Sequence, residues 1–276
     1  MDRLAADRFT DMVVNATSSK ADPRTRQLIE SGIRHLHAFI LETGLTLDEL
    51  VSICGLLVQA GKISSDARNE FLLSANILGL EVLVDMISPN GGPQTAILGP
   101  MYQPAAPRLP LGGSIIQGDA DGQVTYMEGY VRDASGHPIA DATLDVWQAG
   151  TDGLYDIQDP AQSGTNLRGL FTTDANGHYA FKCLRPTAYP IPDDGIGGVL
   201  LQALHRHPMR PAHLHLIVGA EGKRSIISQL YDRDCPYIDN DSIFAVKDTL
   251  VLTFEPATGR ADAELYVRYD WTLQDA

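Results

Sequence analysis

In the stretch "RPAHLHL", Arg210 to Leu216, two histidines stand one residue apart inside an apolar run. On a β-strand, residues i and i+2 point to the same side, so His213 and His215 would present two imidazoles on one face, about 6.5–7 Å apart along the backbone. Imidazole is a ligand for zinc, copper and iron, and a pair on one face is half of a metal site. Taken alone, the pair also suits two exposed polar positions, so a metal reading needs further donors. The other six histidines supply none. His35 and His37 fall on an expected helix, where their directions diverge by about 200°. His137 and His178 follow glycines in turns, and His205 and His207 flank Arg206 at an expected helix end. Tyrosines are better placed: "DGLYD" sets Tyr155 in a loop after a strand, and Pro190 in "RPTAYPIPDDG" holds Tyr189 extended. Each tyrosine alone reads first as a packed ring with a hydrogen-bonded hydroxyl.

The elements that must position these groups fall into two textures. Up to about residue 90 the pattern is helical. Asp22 before Pro23 is an N-cap with proline at the first helical position, and Gly44 ends the apolar stripe that follows. Thr46-x-x-Glu49 is a capping box for a helix that Gly61 is expected to stop, and "SSDARNEFLLSANILGLEVLVDMI" predicts one helix of six turns. These helices are apolar over more of their circumference than a core face needs, which raises a subunit interface or a lipid-sized tunnel beside the ordinary reading of core. From Asn90 a segment crowded with Gly and Pro reads as a linker. Beyond it, "VTYMEGYVRD", "ATLDVWQA", "GHYAFKCL", "HLHLIVGA", "SIISQLYD", "TLVLTFEPA" and "AELYVRYDWTL" alternate with period two between turn residues. The expected fold is mainly β with an α-helical N-terminal region: helices and linker over 1–105, an antiparallel β-sandwich over 106–276.

Composition bounds the function. A net charge of −14 makes nucleic acid a poor partner. No apolar run nears the roughly 20 residues of a membrane span. Nothing around residues 1–14 pairs a basic region with a long apolar core, so no secretory signal is expected. Cys54, Cys183 and Cys235 form neither a disulfide framework nor a CxxC zinc pair, and a reducing cytoplasm is the expected compartment.

Together, "DVWQAGTDGLYDIQ", "LRGLFTTDANGHYAFKCLRPTAYPIPDDG" and "RPAHLHLIV", in this order and spacing, resemble the intradiol aromatic-ring-cleaving dioxygenases. "LGPMYQPAAP", "DSIFAVKDTL" and the N-terminal helices extend the likeness over nearly the whole chain. The resemblance implies an iron-bearing β-sandwich with a helical dimerisation region, a homodimer, and a phospholipid at the dimer interface. It implies Tyr155, Tyr189, His213 and His215 as ligands of Fe(III), with Tyr189 the ligand that yields and takes a substrate proton. Arg210 would stabilise negative charge near the ring, and Gln229 in "ISQLY" would stand at the substrate site. The chemistry agrees, because a phenol of pKa near 10 ionises at neutral pH only beside a strong Lewis acid, and oxygen anions with imidazoles suit iron better than thiolate-seeking ions.

The same resemblance places the substrate, an aromatic diol cleaved with O₂, against Leu73 and Asn76, then Ile97, Leu98, Gly99, Pro100 and Met101. Pro190, Ile191, Pro192 and Ile243 complete that wall. "SANILGLEVLVDMI", "LPLGG" and "DSIFAVKDTL" look more like the hydroxyquinol branch than the catechol or chlorocatechol branch. Asn76 and Met101 depart from it, where an aspartate and an aromatic are usual, and put the ring preference in question. Two other classes compete. A prealbumin-like binding module has no reason to gather two tyrosines and an HxH pair. A zinc or copper hydrolase lacks a third nitrogen ligand.

Overall fold

The computed structural model describes residues 3–65, 68–117, 121–159 and 164–276. The chain divides into two units, Met1–Gln59 and Ala60–Ala276, whereas the sequence texture changes near residue 90 and the sequence reading sets a boundary after residue 105. Helices α1 (Arg3–Asn15), α2 (Pro23–Thr43) and the start of α3 (Leu47–Ile63) form the first unit. Asp22 caps α2 by accepting from the amides of Arg24 and Thr25, and Gly44 closes it in the left-handed conformation. The capping box at α3 forms as expected: Thr46 N–H donates to Glu49 at 2.8 Å and Glu49 N–H to Thr46 Oγ1 at 3.3 Å. α3 passes through Gly61 to Ile63, since glycine inside a helix costs only about 1 kcal/mol and need not end it. Within this unit Phe9 of α1 stacks on the His37 ring, while Leu36, Phe39, Leu47 and Val51 stay exposed.

The six-turn helix expected over Ser64–Ile87 is two short ones, α4 (Glu70–Ile77) and α5 (Leu80–Ile87); Asp66 and Ala67 of that stretch lie outside the described residues. Asn69 caps α4, and Gly79 at φ +73° breaks the run. The break lets Leu73 and Ile77 of α4 and Val82 of α5 share one apolar cluster with Ile97, Ile191, Leu201 and Ile243.

The strands follow as β1 (Val124–Asp133), β2 (Thr143–Trp147), β3 (Arg168–Thr172) and β4 (His178–Leu184), then β5 (Tyr189–Pro190). After α6 (Ile196–Ala203) come β6 (Met209–Arg210), β7 (His213–Gly219) and β8 (Ile226–Asp232). The short β9 (Val251–Leu252), β10 (Glu255–Pro256), β11 (Leu265–Arg268) and β12 (Trp271–Leu273) end the fold. One sheet runs β10-β11-β1-β12 with β4 beside β1; the other runs β3-β2-β7-β8-β9; β5 and β6 make a separate ribbon. The sheets are mixed. β11 and β12 both lie parallel to the long β1, and β9 parallel to β8. "AELYVRYDWTL" therefore yields two strands, and Gly129 of β1 makes room where they meet, because a Cβ there would collide with the Tyr269 carbonyl.

The sandwich core lies between the two larger sheets, with Met127, Val131, Phe181, Leu144, Val146 and Trp271 all buried in it. Alternation in β7 decides the rest. Leu214, Leu216 and Val218 are 1%, 0% and 0% exposed in that core, which turns His213 and His215 to the opposite face. Leu216→Ala should cost about 2–5 kcal/mol of unfolding free energy, read from urea denaturation, because it removes packing from the side that holds the histidines in place. A loss below about 0.5 kcal/mol would contradict this account of the core.

Candidate metal centre

Three segments bring four donor atoms together. β7 supplies both imidazoles. β5 supplies Tyr189, and its pairing with β6 sets Tyr189 directly opposite Arg210. The loop between β2 and β3 supplies Tyr155, and this loop is pinned by a buried ion pair between Arg168 of β3 and Asp156, 2.6 Å apart. Gly153, at φ +81°, lets that loop run under the Tyr189 side chain, whose Cβ would be 3.0 Å from a Cβ at residue 153.

The donor atoms close a ring. Tyr155 Oη lies 2.8 Å from Tyr189 Oη, which lies 3.1 Å from His213 Nε2. His213 Nε2 lies 3.1 Å from His215 Nε2, which returns to Tyr155 Oη at 2.9 Å. Counting protons shows what this ring lacks. His213 Nδ1 sits 2.6 Å from the Pro211 carbonyl, which can only accept, so that nitrogen carries the proton and Nε2 is a bare acceptor. Burial, and then the charge of Arg210, keep the His213 pKa well below the usual range; burial, then His213, do the same for His215. Both rings are neutral. Two phenol protons, with at most one more from His215, must serve four contacts, so at least one places lone pair against lone pair. A cation at the centre removes that conflict. Contacts of 2.8–3.1 Å leave the four donor atoms close enough to share one cation.

Without a cation the phenols stay protonated: burial, then the neighbouring Tyr189, push Tyr155 well above its ordinary pKa, and burial raises Tyr189 against the opposing charge of Arg210. Among the described residues no group of three or more His, Cys, Asp or Glu is placed to hold a metal, so any site here depends on its tyrosines. Two phenols and two imidazoles fit iron.

Around the ring, Trp147 stacks on His215 with centroids 4.8 Å apart and planes 10° from parallel. Gly99 packs on the same imidazole; a Cβ there would come 3.1 Å from Cε1. Arg210 is buried, and its Nε and Nη2 donate to the two oxygens of Asp241 at 3.1 Å each. Burial opposes its charge, but Asp241 together with Tyr231 and Tyr189 outweighs this and its pKa is raised. Gln229 Oε1 accepts from Arg210 at 2.8 Å and from Tyr231 at 2.6 Å, and its amide donates to the Ile97 carbonyl at 2.8 Å.

A cavity of about 360 Å³ opens beside Tyr155, Tyr189, Arg210 and His215. Leu73, Asn76, Ile97, Gly99, Pro100 and Met101 line it, as do Pro190, Ile191, Pro192 and Ile243. Leu98 lines instead an adjoining annex of about 240 Å³, because Gly99 at φ +73° turns the chain between them. Gln229 lines neither; it stands behind Arg210. Sequence reasoning passed over Asp152, Leu154, Gln158 and Asp193 of the cavity wall, and Asp241, Trp147 and Tyr231 behind it. Asp241 opens the quoted stretch "DSIFAVKDTL", where a carboxylate beside an otherwise apolar segment was an available signal.

Comparison with known proteins gives the family. Residues 97–275 match the family described as "Dioxygenase", and residues 22–91 the "Catechol dioxygenase N terminus". The chain is 43% identical over 274 residues to the intradiol ring-cleavage dioxygenase prcA of Aspergillus niger, covering 96% of this chain and 87% of that one. The chain belongs to the intradiol ring-cleavage dioxygenases. This dioxygenase is also 40% identical to a catechol 1,2-dioxygenase of Candida albicans, over 96% of its own length and 89% of the relative's. The crystal structure of a hydroxyquinol 1,2-dioxygenase from Pseudomonas putida DLL-E4 superposes with a TM-score of 0.92 at 32% identity, covering 99% of each chain. Membership sets aside the binding-module and hydrolase readings. The family is iron-dependent, and the donor set of this dioxygenase fits that metal. Asp241→Ala should destabilise it by about 3–5 kcal/mol in denaturant unfolding, since the Arg210 guanidinium is left buried without its counter-charge. A change under about 1 kcal/mol would show that the charge finds another partner.

Proposed function

We propose that this dioxygenase binds Fe(III) through Tyr155, Tyr189, His213 and His215 and uses O₂ to open the ring of hydroxyquinol between its two adjacent hydroxyls. The observation that carries this reading is the closed ring of four donors, short of protons and bordered by a cavity sized for one aromatic ring. Bound ferric iron would supply the Lewis acidity that draws electron density from a chelated diolate and readies it for O₂.

The protein's own groups do the remainder. Tyr189 lies at the cavity, is partly exposed, and faces Arg210, so its oxygen is the one placed to take a proton from an incoming hydroxyl. Tyr155 is 1% exposed, against the partly exposed Tyr189, which suits the more permanent ligand. Arg210, locked by Asp241 and Gln229, presents a fixed positive charge where negative charge builds on the ring, and such preorganisation needs no rearrangement during reaction. Ile97, Ile191, Ile243 and the prolines keep water from the reacting face.

Hydroxyquinol is favoured over catechol by Asn76. This residue lines the cavity, where its neutral amide can meet a third ring hydroxyl as acceptor or as donor. Catechol is the second reading, supported by the similarity to the Candida relative. The exposed apolar side chains of α2 and α3 suit a cover by a second copy with phospholipid at the interface. The three cysteines are free, which suits a cytoplasmic setting.

Iron-loaded protein should absorb broadly in the visible, and Tyr155→Phe should lose most of that colour. Tyr189→Phe should lower kcat by roughly 10²–10⁴, the worth of a positioned proton acceptor. Oxygen uptake should give hydroxyquinol a kcat/KM about tenfold above catechol, the value of one added hydrogen bond. A colourless, fully iron-loaded preparation, or full activity in Tyr189→Phe, would overturn the ligand assignment; a preference for catechol would overturn only the choice of ring.

A further inference from the structure

The annex shares Leu73, Asn76, Gly99, Pro100, Met101 and Pro192 with the main cavity, so a ring substituent that reaches past them enters it. The walls it does not share are Arg68, Asn69, Glu70, Leu72, Glu81 and Leu98, which mark its end away from the metal centre. At that end three charged side chains are joined. Arg68 Nε donates to Glu70 Oε1 at 2.7 Å, while its Nη1 and Nη2 donate to the two carboxylate oxygens of Asp194 at 3.0 and 2.6 Å. Glu70 is fully buried, and its Oε2 accepts from the Gly197 amide at 3.3 Å, in the first turn of α6, where the N-cap Gly195 has no side chain to do so. Gly195 also leaves the space this needs, because a Cβ there would lie 2.4 Å from Glu70 Oε2 and 2.9 Å from Arg68 Nη2. Asp194 differs, with its side chain 67% exposed. The inner contact is therefore fixed, since parting it would leave a buried carboxylate without its counter-charge. The outer one is an ion pair in water, bidentate in geometry but inexpensive to open and weakened by salt.

We infer that Arg68, anchored on Glu70 and latched to Asp194, is the end-stop of the annex and sets the length of ring substituent that this dioxygenase accepts. The substrates it sorts are alkyl-substituted aromatic diols. Leu72, Leu98, Pro100 and Met101 offer apolar walls to a short chain. A longer chain meets the guanidinium, cannot replace the bonds that Asp194 accepts, and has to part the latch to reach water. Asp194 follows directly on the Pro190–Asp193 stretch of the main cavity wall, so the latch also ties that wall to the start of α4. The inference rests on ring cleavage in the cavity and is indifferent to the choice between hydroxyquinol and catechol.

The test uses catechol and catechols with a straight alkyl chain para to one hydroxyl, from methyl to hexyl. Oxygen uptake gives kcat and KM, and anaerobic titration gives Kd, for the iron-loaded wild type, Asp194→Asn, Asp194→Ala and Asp194→Glu. In the wild type kcat/KM should fall about tenfold or more from the methyl to the hexyl compound, through KM and with the same shift in Kd. Asp194→Asn keeps the shape of the side chain and removes its charge; it should recover about tenfold on the hexyl compound and change catechol by less than about twofold. Asp194→Ala should do the same, and Asp194→Glu, which can still latch, should keep the wild-type profile. Raising NaCl from about 0.05 M to about 1 M should increase the hexyl-to-methyl ratio more in the wild type than in Asp194→Asn, which has no ion pair to screen. A wild-type profile flat with chain length, an Asp194→Asn profile equal to the wild type, an equal change on catechol and the hexyl compound, or Asp194→Glu behaving as Asp194→Asn would each overturn the end-stop. Failure of the wild type to cleave any diol would overturn the proposed function instead, and the Kd series would still read the end-stop.

Discussion

Four lone-pair atoms held 2.8–3.1 Å apart, with too few protons to bridge them, are a conflict that the metal-free chain cannot resolve within the ring. Left to local preference the rings would separate, since nothing in the immediate sequence around Tyr155, Tyr189 or the histidines draws them together. Their convergence is imposed by the sheets. The core face of β7 holds both imidazoles by burying Leu214, Leu216 and Val218 on the other side. The Arg168–Asp156 pair ties the Tyr155 loop to β3, and the β5–β6 ribbon fixes Tyr189. Sandwich burial thus stabilises an arrangement that opposes itself electrostatically, which is how a binding site for a cation is kept open before the cation arrives.

A positive charge already lies close by, yet it does not satisfy the ring. Arg210 approaches His213 Nε2 only at 3.4 Å and gives its better hydrogen bonds to Asp241 and Gln229. The division of labour follows from that geometry. Asp241 neutralises most of the cost of burying a guanidinium, which would otherwise be several kcal/mol. The charge remains near the cavity as a fixed dipole with Asp241, able to bias negative charge on a ring while leaving the four donors to the metal.

Much of this site was legible in the sequence, for reasons that differ by residue. His213 and His215 announced themselves by period two, a local property of any strand. Tyr189 was marked by Pro190, which restricts its backbone. Tyr155 carries no local signal strong enough; only its likeness to a family pattern singled it out, because its position depends on Arg168 gripping Asp156 across 12 residues of sequence. Asp241 carried a local signal, a carboxylate heading an apolar stretch, but its pairing did not, since Arg210 lies 31 residues away. The helical region was readable in its caps at Asp22, Gly44 and Thr46 and misread over Ser64–Ile87, where apolar residues continue at helical spacing through Gly79. Periodicity counts side chains and does not see a left-handed backbone. The parallel pairing of β11 and β12 with β1 was likewise out of reach, since strand pattern carries no direction.

The two layers of the site therefore rest on different kinds of structure. The metal donors hang from a sandwich whose core lies between two five-stranded sheets, so no single surface change moves them far. Much of the wall facing the ring, α4 with Ile97 and Ile191, packs in a separate and much smaller cluster around Ile77, while Leu98 and Met101 pack beside Trp147 and Tyr155. Small clusters shift at low energetic cost compared with a sheet core. A change in α4 or α5 can accordingly alter which ring is accepted while the donor ring stays intact. Asn76 illustrates the point: it lines the cavity and is hydrogen-bonded to none of the four donors, so its amide bears on what the cavity offers a substituent. Reaction chemistry and ring preference are thus separable in this fold, because one is carried by long-range sheet pairing and the other by a helix break seven residues before Met86.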